Sequence, residues 1–253
     1  MVARPSIVAA LVLGVAALGV GAPAHAEDLG RVLRDGLFGS SPNASRKAAT
    51  PMVAHYVAET GDEFVLDRSA SQPLLRFDDD FEVWALQPQA GPRGDILYKN
   101  DLGETVLRAT KLGGLTLFTH ERPEGAAVAV DGETNPIRLP PMGPSALLQR
   151  LAQASSRASH AAQRLVSVGA DATPQSAGLI ADAAMVAAEA MSHLSRTQAG
   201  RNALNKIEKI FVAQGKRPAA SVQNGVLVVT VRPDMGVAGR PSSELIATAM
   251  GVR

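Results

Sequence analysis

The chain has 253 residues, of which 46% are hydrophobic and 19% charged, with no cysteine and a formal net charge of +1. These figures exclude a collagen-like, disulfide-stapled or strongly disordered chain, and with them thiolate metal sites, iron–sulfur clusters and cysteine nucleophiles. The near-neutral balance argues against nucleic acid as a partner, because such binders carry a clear basic excess.

Residues 1–26 read as a secretory signal peptide. Arg4 supplies the positive start, Ile7 to Val20 forms the apolar run, and Ala24-His25-Ala26 is an A-x-A site with cleavage expected after Ala26. The run is too short for a comfortable membrane span of roughly 20 residues. Cleavage removes one of the 25 Lys and Arg and none of the 24 Asp and Glu, so the mature chain is formally neutral. No membrane span is expected after cleavage: the best later stretch, Leu179–Met191, is short and holds Asp182 and Glu189. Export without disulfides points to a bacterial periplasmic or secreted protein held together by packing alone.

Residues 27–51 read as a flexible lead-in, rich in turn residues from Gly39 to Pro51. Residues 52–131 switch to short strands, expected at Val53–Glu59, Glu63–Asp67, Leu74–Phe77, Glu82–Leu86, Asp95–Lys99, Glu104–Thr110, Leu115–Thr119 and Ala126–Val130. Turn residues separate them: Thr60-Gly61-Asp62, Ala90-Gly91-Pro92-Arg93-Gly94, Asp101-Leu102-Gly103 and Gly113-Gly114. A Gly-acid-strand unit recurs at Gly61, Gly94 and Gly103, the pattern of an antiparallel β-meander. Seven of the nine aromatic residues fall between Tyr56 and Phe118, where large rings supply the burial a small sheet needs.

Residues 132–144 read as a Pro-rich connector, stiff around Leu139-Pro140-Pro141-Met142-Gly143-Pro144. The region 145–215 is Ala-rich and expected to be helical. Its first helix carries Leu147, Leu151, Ala154, Ala158, Ala161, Leu165 and Val168 at steps of four and three, and Gly169–Thr173 is its turn. A second helix repeats Ile180, Ala184, Ala187, Met191 and Leu194, and a third is expected over Arg201–Gln214 from Leu204, Ile207 and Phe211. Alanine stripes allow close helix approach, so these segments are expected to form a compact layer. Residues 219–253 hold the strongest hairpin signal, Asn224-Gly225, and a last short helix over Ser242–Met250. Val226–Val231 is nearly all apolar, so it is expected to be covered on both faces by joining the N-terminal sheet under the helices. The expected fold class is therefore α+β, an antiparallel meander packed with an Ala-rich helical layer and completed by the C-terminal hairpin.

The chemistry is sparse. Nucleotide-binding, nucleophile-elbow and zinc-peptidase signatures are absent from the mature sequence, so no catalytic, cofactor or metal residues are assigned and no cofactor is expected. The four mature histidines, His55, His120, His160 and His193, have no mutual helical ligand spacing. Asp78-Asp79-Asp80 lacks the spacing of a calcium loop and reads as an acidic turn. Arg93-Gly94-Asp95 matches a short adhesion motif that its Gly-Pro turn explains as well. The most ordered polar feature is a strip on the first helix, Arg150, Gln153, Arg157, His160 and Arg164. It would suit an anionic partner, or it is a solvated face that pairs with Asp182 or Glu189.

The run from Pro92 through Thr110 (PRGDILYKNDLGETVLRAT), followed by Leu112 to Phe118 (LGGLTLF), resembles an uncharacterised family of exported alphaproteobacterial proteins, a domain of unknown function. The resemblance covers most of the mature chain and implies a periplasmic setting, with no catalytic residues to transfer.

The sequence favours a non-enzymatic envelope protein that binds a protein partner or a small ligand. One alternative is a hydrolase using His120 or His55 with Asp95 or an Asp of the 78–80 run; another is an envelope scaffold acting through its Ala-rich helices. Oligomeric state is open. A hollow sheet would point to a small ligand, and a filled one to protein contacts.

Overall fold

The computed structural model describes residues 51–251; the expected signal peptide and nearly all of the lead-in lie outside them. Nine strands form the first sheet: β1 (Val53–Ala58), β2 (Glu63–Asp67), β3 (Leu74–Phe77), β4 (Val83–Ala85), β5 (Gln87–Ala90), β6 (Ile96–Lys99), β7 (Thr105–Ala109), β8 (Leu115–Leu117) and β9 (Ala126–Glu133). All eight expected strands are present, and β5 is additional. Tight turns with glycine at positive φ join them, among them Gly61 (φ 92) and Gly103 (φ 84).

The spatial order is β4-β3-β2-β1-β9-β8-β7-β6-β5, every pair antiparallel. The two edges, β4 and β5, are consecutive in the chain and separated only by Leu86, which is fully buried. One bent strand therefore borders both edges and curls the sheet into a barrel-like closure, a step beyond a simple meander. A barrel of about eight strands has an interior just wide enough for side chains to fill it. Tyr56, Phe64, Leu66, Leu75, Leu107 and Leu117 do so here, each at most 2% exposed. A chain of ring contacts runs from Tyr56 through Phe64 and Phe77 to Trp84, with centroids 5.4–5.9 Å apart.

The second half contains α1 (Pro144–Ala162), β10 (Ser167–Ala170), α2 (Ala177–Ser195), α3 (Gln198–Leu204), β11 (Lys209–Gln214), β12 (Ala219–Gln223), β13 (Val226–Val231) and α4 (Ser243–Ala249). Its strands form a separate sheet of order β10-β11-β13-β12, with β11 parallel to both β10 and β13. The hairpin at Asn224-Gly225 forms as expected, both residues at positive φ. It does not join the first sheet. Burial alternates along β13, with Leu227, Val229 and Val231 buried and the residues between them half-exposed, so a single covered face satisfies it. Correspondingly, the Ala-rich helices pack on this second sheet, in one core with Ile210, Val212 and Val229 that includes no residue of the first sheet.

Two helix expectations are also corrected. The first helix stops at Ala162, where Gln163 turns left-handed (φ 52); Leu165 is then 81% exposed and Val168 lies in β10. The segment expected as a third helix divides into α3 and β11. Ile210 and Val212 are buried at period two, the strand signature, despite the helical spacing of Leu204, Ile207 and Phe211. Gly200 permits the tight α2–α3 corner, since a Cβ there would fall 1.9 Å from the Leu194 carbonyl oxygen. The short helix near the C-terminus is as expected: Ser242 caps α4 by accepting a hydrogen bond from the Leu245 amide at 3.0 Å.

A buried polar clamp ties the halves together. Arg240 pairs with Asp182 of α2 and with Glu82 at 3.5 Å, and donates to the Val83 carbonyl at 3.0 Å. Glu82 in turn accepts from the Ser243 amide at 2.8 Å, and Asp101 accepts from both the amide and the hydroxyl of Ser242 at 2.7 Å. Beside the clamp, Leu74 and Val83 on the outside of the barrel pack against Val237 and Ala238. The connector is strapped down as well, with the Ile137 amide donating to buried Asp67 at 2.9 Å.

Candidate functional site

Where the barrel rim faces the helices, a groove of about 1370 Å³ opens. The rim provides Phe77, Phe81, Trp84 and Phe118 together with Asp79, Asp80, Glu104 and His120. The facing wall provides Arg157 from α1, Glu189 and His193 from α2, and Glu244 from α4. Turns place Asp79, Asp80, Phe81 and Glu104, the β8–β9 loop places Phe118 and His120, and Phe77 ends β3 while Trp84 lies within β4. Helical spacing places the other wall: Glu189 and His193 are one turn apart and pair at 3.1 Å.

The electrostatics of the groove are uneven. Its lining holds seven carboxylates against two arginines. Both arginines are already engaged: Arg157 pairs with Glu189 and lies over the Phe81 ring, 5.6 Å from its centroid, while Arg108 donates to Asp95 at 2.7 Å. Glu244 is raised above its ordinary pKa, first by burial and then by the charges of Glu104 and Asp101, against the opposing pull of His120 at 3.4 Å. The groove is thus an acidic trough with aromatic side chains along its barrel wall.

A second cluster lies on the outer face of the barrel. His55 on β1 directs Nε2 to Asp78 at 3.1 Å and to Glu63 at 3.9 Å, and Nδ1 to Asp131 at 3.1 Å. Burial lowers the His55 pKa, but the hydrogen bonds and charges of Asp131 and Asp78 outweigh it and hold it above 6.5. A bulge between His55 and Tyr56 in the β1–β9 pairing brings Asp131 onto this face.

The sequence-derived candidates meet different fates. Three members of the strip, Arg150, Arg157 and His160, share the exposed face of α1, and the fourth, Arg164, leaves it. Arg150 bonds Gln153, Arg157 is bound to Glu189, and His160 is exposed. Arg164 lies beyond the end of α1 and donates to the Ile207 carbonyl. Asp182, the other acid expected to pair with the strip, is taken by Arg240. Asp95 of the Arg-Gly-Asp turn is 6% exposed and held by Arg108, with its pKa lowered by that hydrogen bond, so the turn presents no free carboxylate. Of the His–carboxylate pairs, His55–Asp78 forms and neither histidine meets Asp95. Among the described residues, no serine or threonine hydroxyl hydrogen-bonds to His55 or His120. Glu104 and Glu244 of the groove and the Glu63 and Asp131 partners of His55 escape sequence reasoning, since only tertiary packing brings them to their neighbours.

No helix among the described residues is long and apolar enough to cross a membrane. No curated protein and no solved structure matches the chain. A family model for a domain of unknown function, DUF4908, matches residues 32–250, and the chain belongs to that family.

Proposed function

We propose that this is a non-enzymatic, exported protein of the cell envelope that binds a protein partner through the groove, taking up an extended segment with basic and apolar side chains. The observation that carries the reading is the acidic trough itself, with its aromatic barrel wall. Its volume exceeds the roughly 300–1,000 Å³ of typical small-ligand pockets, and the barrel interior beside it is filled by side chains. Engaged arginines leave the rim carboxylates as the net charge a partner meets, and the ring of exposed Phe81 already holds one cation, Arg157, over its face. The signal sequence at residues 1–26 supports the envelope setting.

Trp84 is the only tryptophan in the chain and lines the groove, so it reports occupancy directly. Its fluorescence is titrated with a peptide of alternating lysine and leucine and with the matching glutamate–leucine peptide. A saturable change is expected with the basic peptide alone, weakened about tenfold by combining Glu104→Gln with Glu244→Gln. No saturable change, or equal binding of the acidic peptide, sinks the reading. For the location, residues 1–50 fused to a phosphatase that folds only outside the cytoplasm should yield active enzyme in Gram-negative cells.

A hydrolase reading draws on the His120–Glu244 contact in the groove, where a water would have to serve as nucleophile, since among the described residues no serine or threonine hydroxyl hydrogen-bonds to His120.

A further inference from the structure

The His55 cluster lies outside the groove and takes no part in the proposed binding. Both ring nitrogens face carboxylate oxygens at 3.1 Å. A neutral imidazole has one donor and one acceptor nitrogen. Whichever ring nitrogen carries the hydrogen, the other presents a lone pair to a carboxylate, so a positive centre between them would satisfy the contact. That centre is either a second proton or a metal ion.

The spacing suits an ion. Ligand atoms bound at about 2.1 Å lie roughly 3.0 Å apart when cis in an octahedron and about 3.4 Å apart in a tetrahedron. Nε2 is 3.1 Å from Asp78, close to the cis separation, and 3.9 Å from Glu63, whose exposed side chain has to swing inward to complete the set. The backbone fixes this arrangement. β1 pairs with β2, which sets His55 opposite Val65, and the Asp78 amide donates to the Glu63 carbonyl at 3.0 Å. The carboxylate on Nδ1 is the outer partner that metal-bound histidines ordinarily have. The side chains of Glu63 and Asp78 are 54% and 45% exposed, so an ion can enter and keep water in its open positions.

We infer that His55, Glu63 and Asp78 form a binding site for a divalent transition-metal ion on the outer wall of the barrel, with Asp131 as the positioning residue. One imidazole and two carboxylates, with no sulfur ligand, suit Zn²⁺ or Mn²⁺ and disfavour Cu⁺. Calcium and magnesium are disfavoured because they take all-oxygen shells.

The test is equilibrium dialysis of the full chain, stripped with chelator, against Zn²⁺ and Mn²⁺, with metal read by elemental analysis and folding by circular dichroism. One ion per chain is expected. Asp131→Asn should weaken retention about 10–100-fold while leaving the ligands in place. Combining Glu63→Gln with Asp78→Asn should abolish it, with the spectrum and the metal-free melting curve unchanged. A His160→Gln control on the helical half should keep the full complement. The proposal is overturned if the wild-type chain retains neither ion, which would leave the bridging centre a proton. It also fails if the folded double variant binds as the wild type does, or if the His160 control loses the ion. None of these outcomes bears on peptide binding at Trp84, so the two readings stand or fall separately.

Discussion

The two halves of the molecule bury their interiors by opposite means. The barrel fills a narrow tube with rings and leucines, whereas the helical half brings backbones together over alanine: α2 alone buries Ala177, Ala181, Ala183, Ala184, Ala187, Ala188 and Ala190. Large side chains in the first give much burial per residue, and removing one leaves a hole. Small side chains in the second leave no room, and enlarging one forces the helices apart. The same contrast explains where the charges concentrate. Neither core admits polar groups easily, so the ionic residues gather at the seam, where buried Arg240 and Glu82 meet half-buried Asp182, and along the groove that opens beside it.

The sharpest way to break the comparison is to exchange the two kinds of defect. Phe64→Ala empties a fully buried position that contacts both Tyr56 and Phe77 and should cost about 4 kcal/mol in urea denaturation. Next comes the seam. Arg240→Ala leaves Glu82 and Asp182 without their counter-charge and should cost about 3 kcal/mol. Because the clamp joins the two cores, the unfolding transition should also split, with Trp84 fluorescence and far-ultraviolet helix signal no longer coincident. A single coincident transition would mean that the cores are coupled by contacts other than the clamp. Ala184→Leu, at a position with no exposure in the helical core, should cost about 2 kcal/mol by overpacking. A neutral or stabilising result there would show the alanine layer to be loose, and the contrast between the halves would fail.

Local patterns carried the barrel strands and failed where tertiary context decided. The eight expected strands were legible because turns with glycine punctuate them and apolar residues alternate. β5 was not: Gln87-Pro88-Gln89-Ala90 is polar, contains proline and is exposed along its whole length, yet it pairs with β6 and draws the sheet closed. The stretch Lys209–Gln214 carries helical and strand periodicities at once, and its pairing with β10 and β13 selects the strand. The candidate sites are the least legible part. The two carboxylates hydrogen-bonded to His55 lie 23 and 76 residues away in sequence, and the Arg240–Val83 contact spans 157. The spacing of charged residues along one chain holds no record of such cross-strand and cross-seam neighbours.

The smallest expected effect separates the seam from both cores by its response to pH. Glu82 belongs to the barrel side of the clamp, and burial raises its pKa above the ordinary 4.5 despite the opposing pull of Arg240 and the Ser243 amide, with Asp80 adding to the rise. Glu244 on the helical side is raised in the same direction, facing His120, Glu104 and Asp101. A carboxyl raised in the folded state holds a proton that the unfolded chain has already released. Over the interval between 4.5 and the raised value the folded chain therefore binds more protons, and stability falls as pH increases. Urea midpoints measured upward from pH 4.5 should decline with this slope. Glu82→Gln should flatten part of it and Glu244→Gln a further part, whereas Phe64→Ala should shift the whole curve down without changing its shape. If Phe64→Ala flattens the slope as much as Glu82→Gln does, the pH response belongs to the barrel as a whole and not to the charges buried between the halves.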